Sequence, residues 1–254
     1  MPIDFSLQEG ILIDRNWLSE QGFGRSSVDY FLRSGKLVAV VRGIYRKPGP
    51  PLKWQNIVYS LSQLGYSVHV GHDTALQYHG YQHFLQLGSQ NQLSIYCKRK
   101  LPKWLNGINT DFDFNQVHNN PFEESFTAGL EEIPFGNWDW PIFYSIQERA
   151  FLEYLSTVTT EEEIGKAVLM FEGTGGFRPK LIQTLLEECT QIKAKRLFLW
   201  MAKRQNHQWY HHIDISQINL GSGKRQIIKN GILNKDFMIT VPKEENSGQT
   251  ESLF

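Results

Sequence analysis

Gly22, Gly35 and Gly43 cut the run DRNWLSEQGFGRSSVDYFLRSGKLVAVVRGIYRKPG, residues 14–49, into pieces too short for anything but two brief helices and a hairpin. Glycine tolerates the left-handed backbone on which helices end and hairpins reverse, so its spacing fixes where the chain must turn. Asp14 is placed to cap a first helix through Leu18 to Gln21. A second helix starts at Ser26 or Ser27 and stops at Gly35. KLVAVVRG and IYRKPG then read as two β runs folded about Arg42 and Gly43 and ended by Pro48.

The remainder reads as a mixed α+β chain. KWQNIVYSLSQLG spaces Trp54, Ile57, Val58, Leu61 and Leu64 as one helix face. SVHVG is a short strand, Asp73 caps a helix running to about His79, and further strands are expected near 111–116, 130–135 and 140–144. Ser145 with Glu148, and Thr160 with Glu163, match the capping box, which predicts helices over 146–157 and 161–172. Two more follow at 179–190 and 193–204, then short strands in HIDIS, RQIIK and FMITV. A junction near residues 86–94 divides the chain into an N-terminal domain, 1–92, and an α+β domain, 93–242, with a disordered polar tail, 243–254.

The net charge of zero hides a strong segregation. Lys and Arg outnumber Asp and Glu by 12 to 6 over residues 1–110 and by 10 to 5 over 191–254, while acids lead by 15 to 4 between them. Basic ends of this kind suit an anionic partner. Cys97 and Cys189 lack metal-type spacing, the first residues do not read as a signal peptide, and no apolar run approaches the ~18 residues of a membrane span. A cytoplasmic protein is expected, with no membrane partner.

Val28, Phe31 and Leu32 form the inward stripe of the second helix, which leaves Ser26, Ser27, Asp29, Tyr30 and Arg33 outward. Short hydroxyls near the N-terminus and a long cation one turn later suit the helix of a helix-turn-helix that enters the DNA major groove. Arg33 could hold guanine or a phosphate, and Arg42, Arg46 and Lys47 give the hairpin the composition of a wing against the backbone. The fold expected for this end is a winged helix-turn-helix.

The stretches ILIDRNWLSEQGFGRSSVDYFLRSGKLVAVVRGIYRKPGPPLKWQNIVYSLSQLG, VHVGHDTALQYHGY, KRLFLWMAKRQN and DISQINLGSGKRQIIKNG resemble the AbiEi family of antitoxins from bacterial toxin–antitoxin operons. The likeness runs from about Gly10 to Pro242, and GIYRKPG, VHVGHDTALQYHGY and INLGSGKRQIIKNG are its most specific pieces. It implies an N-terminal winged helix that represses its own operon at inverted repeats, and a C-terminal domain that neutralises a nucleotidyltransferase-like toxin. By position it implies a DNA surface of Ser26, Ser27, Tyr30, Arg33, Arg42, Arg46 and Lys47. It further implies a C-terminal basic surface of Lys195, Arg196, Lys203, Arg204, Lys224, Arg225 and Lys229.

Other chemistries leave weaker marks. His69, His72, His79 and His83 fall close together, but they are spread over a strand end, a cap and a helix, without cysteines or a His-x-x-x-His pair. A nuclease would need an aspartate followed by a strand-borne Glu-x-Lys, and LEEIPFG has the acids without the lysine. GSGKR and EGTGGFRP lack the spacing of a phosphate loop. No metal, cofactor or catalytic residue is expected. The alternatives to a regulator are a non-catalytic module that sequesters a partner and, further off, a DNA nuclease. FGNWDWPIFY reads as core or as an exposed recognition patch.

Overall fold

A computed structural model describes residues 7–81 and 92–243 of the protein. The middle of the expected junction, His83 and the tail after Lys243 lie outside the described residues. The chain is α+β, and its contacts divide it into two compact units. Among the described residues the first holds 7–79, 92–118 and 130–146, and the second 80–81, 119–129 and 147–243.

The first unit opens with β1 (Ile13–Asp14), α1 (Arg15–Glu20), α2 (Arg25–Arg33), β2 (Val38–Val41) and β3 (Ile44–Arg46). This is the expected order of helix, turn, helix and hairpin. Asp14 caps α1, its Oδ1 accepting the Trp17 amide at 2.8 Å. Gly22, Gly35 and Gly43 all take positive φ, at +81°, +70° and +84°. β3 lies between β1 and β2 in a three-stranded antiparallel sheet. Leu18, Val28, Phe31, Leu37 and Tyr45 close a core beneath it, joined by Trp140.

α3 (Trp54–Gln63) packs Val58 and Leu61 against a second, five-stranded sheet. Its strands are β4 (His69–Val70), β5 (Gln92–Tyr96), β6 (Asp113–Val117), β7 (Leu130–Phe135) and β8 (Trp140–Ser145), in the order β6-β5-β4-β8-β7. β4 pairs antiparallel with β5 and parallel with β8. The compact units therefore do not coincide with 1–92 and 93–242: hydrogen bonding to β4 draws residues 92–96 and 140–145 into the first unit. Asp73 does not cap α4 (His72–Leu76), whose N-cap is Gly71; its Oδ1 accepts the amide of its neighbour Thr74. Ser60 ties α3 to the first strand region, its hydroxyl accepting the Leu12 amide at 2.8 Å and donating to the Asn56 carbonyl at 2.6 Å.

FGNWDWPIFY divides its roles. Trp140 is buried, stacks on Tyr59 at 4.8 Å and donates to Gln8, whereas Trp138 stays 53% exposed.

The second unit carries α5 (Gln147–Thr157), α6 (Glu161–Glu172), α7 (Pro179–Glu188) and α8 (Ile192–Gln205), then the two-stranded β9 (Ile232–Asn234) and β10 (Ile239–Val241). Phe151, Phe171, Phe177, Phe198 and Trp209 form an aromatic cluster among the helices. The Thr160–Glu163 capping box forms as expected. Ser145 is the last residue of β8, and the buried Glu148 carboxylate accepts from the Arg178 amide and guanidinium. HIDIS and RQIIK are not strands: the first lies across two 3-10 turns, and the second keeps only an isolated bridge from Arg225 to Ile239.

Candidate nucleic-acid interface

α2 is held from below and bare on top. Val28 and Phe31 are buried, Phe23 meets Phe31 edge to face at 5.4 Å, and the Leu37 amide returns to the Phe31 carbonyl at 3.1 Å. These contacts fix the rotation of the helix about its axis. Ser26, Tyr30 and Arg33 consequently face solvent, with Ser27 and Asp29 half-buried at the margin. Tyr30 is 58% exposed, far more than a tyrosine with an apolar surface to cover.

Two exposed cations escaped the sequence reading. Arg25 is the first residue of α2, and Lys36 follows its end. Lys36 Nζ sits 5.8 Å from the Tyr30 ring centroid, so the ring face helps to hold the ammonium beside it. The signal was present in the Gly-Arg-Ser-Ser start and in the i, i+6 spacing of Tyr30 and Lys36, but only the turn at Gly35 brings the latter pair together. The N-cap of α2 is Gly24, which has no side chain to satisfy the first amides. Free amides at that end, with the positive pole of the helix dipole, favour an anion.

The three cations of the hairpin differ in setting. Arg42 is exposed at the reversal, beside Gly43. Arg46 is half-buried, and its guanidinium donates at the surface to the carbonyls of Pro50 at 2.6 Å and Gly49 at 3.3 Å, closing the turn after β3. Lys47 is half-buried.

The C-terminal set separates more sharply. Lys195 and Arg196 are 2% and 3% exposed and form no surface. Every residue from Ala194 to Ala202 on α8 is buried, so no face of that stretch is left for cations in water. Burial lowers the Lys195 pKa, and Cys189 and Glu188 partly oppose that shift. Arg196 donates to the carbonyls of Leu220, Gly223 and Met238 at 2.7, 2.8 and 3.1 Å. Lys203 is exposed but bound to Asp236 at 2.7 Å, and the Arg204 guanidinium lies 5.8 Å from the Trp200 ring. Lys224, Arg225 and Lys229 are exposed.

Among the described residues no three His, Cys, Asp or Glu side chains are grouped to hold a metal ion, and no helix is long and apolar enough to cross a membrane.

An α+β fold of this kind is already known in a solved protein. The structure is similar to the crystal structure of the RV2827C protein from Mycobacterium tuberculosis, with a TM-score of 0.54 at 13% sequence identity, over 91% of this chain and 86% of that one. A likeness at that identity concerns the fold alone. No curated protein matches the sequence. Two family models do, and they cover nearly all of it: the N-terminal domain of the AbiEi antitoxin transcriptional regulators matches residues 4–87, and the AbiEi antitoxin regulator of type IV toxin–antitoxin systems matches residues 90–242. The chain belongs to the AbiEi antitoxin family of transcriptional regulators.

Proposed function

We propose that the protein represses its own operon by setting α2 into the major groove of inverted repeats, with the β2–β3 hairpin as a wing, and that it counters a nucleotidyltransferase-like toxin through residues of the second unit. The reading rests on one observation above all. The outward face of α2 collects Arg25, Ser26, Tyr30, Arg33 and the adjoining Lys36, while its inward face is fixed by Val28 and Phe31. A helix so oriented can present hydroxyls and amides to a phosphate at its start and a guanidinium to a base edge one to two turns later. Arg42 is exposed at the hairpin tip, which supports a wing whose cation meets the backbone of the duplex.

We add Arg25 and Lys36 to this reading because both are exposed beside Ser26, Tyr30 and Arg33, and we set Arg46 aside because its guanidinium already bonds the carbonyls of Gly49 and Pro50. In this role the protein needs no catalytic residue and no cofactor, and its DNA partner is an operator duplex upstream of its own gene.

The test is titration of full-length protein onto that operator and onto a scrambled duplex across a range of salt. Arg33→Ala should cost about 1–3 kcal/mol on the operator and flatten the preference over scrambled DNA. Lys47→Ala should weaken both duplexes alike or leave them unchanged. Equal small losses from the two variants would show that α2 does not face the bases. Toxin neutralisation is tested separately, by co-expression with the adjacent gene's product and rescue of growth.

A further inference from the structure

A cavity of about 340 Å³ opens in the first unit. The β7–β8 reversal contributes Phe135, Trp138 and Trp140 to its lining, and the segment entering α3 contributes Pro51 and Leu52. Its volume falls within the roughly 300–1,000 Å³ of small-molecule sites, which are lined in the same way by apolar and aromatic side chains with a few polar groups. Trp140 is a fixed part of the lining, stacked on Tyr59 at 4.8 Å and bonded to Gln8. Trp138 is 53% exposed and has no aromatic partner among the described residues. An indole left largely in water beside such a cavity has a face to offer a flat guest.

Three polar side chains share the lining: Glu9, Lys53 and Asn56. Asn56 Oδ1 accepts the Lys53 amide at 2.8 Å, which fixes the side-chain amide and leaves Nδ2 as a donor. Gly10 makes room for it: a Cβ there would stand 2.6 Å from Asn56 Nδ2 and 3.1 Å from Trp140 Cη2, and its φ of +89° favours glycine as well. Glu9 and Lys53 are exposed, and neither forms an ion pair among the described residues. Lys53 Nζ stands 6.0 Å from the Phe135 ring centroid, whereas Glu9 Oε2 lies by Gly49, 3.7 Å from where a Cβ of that residue would be. One aromatic cavity therefore carries one unpaired cation and one unpaired anion.

We propose that this cavity binds a free aromatic amino acid, its ring against Trp138, its carboxylate on Lys53 and Asn56 Nδ2, and its ammonium on Glu9. The charges of the lining cancel, so a guest that is itself neutral overall but carries both signs satisfies each group. A nucleotide would bring two or more negative charges to a single ammonium and set them against Glu9. Every residue invoked belongs to the first unit, and the site stands whether or not α2 binds DNA.

Full-length protein is titrated calorimetrically with L-phenylalanine, L-tyrosine and L-tryptophan, and with four other probes. Phenethylamine lacks the carboxylate, 3-phenylpropionate lacks the amine, L-leucine lacks the ring, and AMP carries a phosphate. The tightest of the three amino acids should bind at least roughly ten-fold better than each of the four, because the first three omit a charge-assisted bond or the ring contact and AMP is repelled by Glu9. Lys53→Gln should weaken that amino acid by roughly ten-fold and leave phenethylamine unchanged, and Glu9→Gln should weaken it as much and leave 3-phenylpropionate unchanged. Trp138→Ala should weaken every ring-bearing probe. All three side chains are exposed, so these variants keep the fold. Absence of heat with all three amino acids at millimolar concentration, equal affinity for the amino acid and its single-charge analogues, or tighter binding of AMP would overturn the inference.

Discussion

Removing one hydroxyl should loosen the whole N-terminal unit. Ser60 Oγ is the only described partner of the Leu12 amide, and both residues are fully buried. Ser60→Ala leaves that amide without water or acceptor, at a cost of about 1–3 kcal/mol. Alanine returns a few tenths of a kcal/mol as the better helix former, so a net loss of about 1–2.5 kcal/mol is expected. Ser62→Ala is the control on the same helix. Its hydroxyl also bonds back one turn, to the Val58 carbonyl at 3.4 Å, but it holds no distant amide, and its replacement should stay within about 0.5 kcal/mol of wild type. Urea unfolding followed by tryptophan fluorescence measures both. Because Leu12 immediately precedes β1, which pairs with β3, amide exchange at Ile44 and Tyr45 should accelerate in Ser60→Ala. Equal midpoints for the two variants would refute the assignment of Ser60 as the tie.

Trp140→Ala should cost about 3–5 kcal/mol because it empties the core beneath the hairpin, while Trp138→Ala, two residues earlier in chain order, should leave the melting temperature close to wild type. Asp14→Ala should destabilise by about 0.5–2 kcal/mol through loss of the α1 cap, measured by the same urea titration. Burial alone would raise the Glu163 pKa, but hydrogen bonds from the Thr159 and Thr160 amides and hydroxyls outweigh it and bring the group below its ordinary 4.5. Its stabilising contribution is therefore complete above that value and lost as pH falls through the lower folded pKa, a dependence that Glu163→Gln should remove from acid-unfolding curves. Burial pushes the Cys189 thiol up to about 11, so at pH 8 it should resist a thiol reagent in the native protein and react once urea unfolds it.

What could be read from the sequence followed the range of the interactions involved. α1, α2 and the hairpin were legible because Asp14, Gly22, Gly35 and Gly43 act on their immediate neighbours. The outward face of α2 followed from the stripe of Val28, Phe31 and Leu32. The family resemblance put Lys195 and Arg196 on a surface, whereas α8 buries every residue from Ala194 to Ala202 and leaves them no face in water. Arg196 answers carbonyls more than twenty residues ahead, which no local pattern announces. Glu148 was lost to Arg178 in the same way, thirty residues on. HIDIS alternates like a strand, but Asp214 Oδ1 accepts the Ser216 amide and hydroxyl and winds the segment into a 3-10 turn.

The placement of β4 between β5 and β8 sets a timetable for synthesis. Val70 leaves the ribosome long before Ile95, and Ile95 well before Tyr144, yet these two are its flanking partners. A nascent chain that stops at residue 87 has made the helices and the hairpin but holds a strand with both edges bare, open to any other extended chain. Proteolytic or genetic separation at that position should yield an N-terminal fragment prone to self-association, whereas a fragment carried on to residue 146 includes both flanking strands of β4.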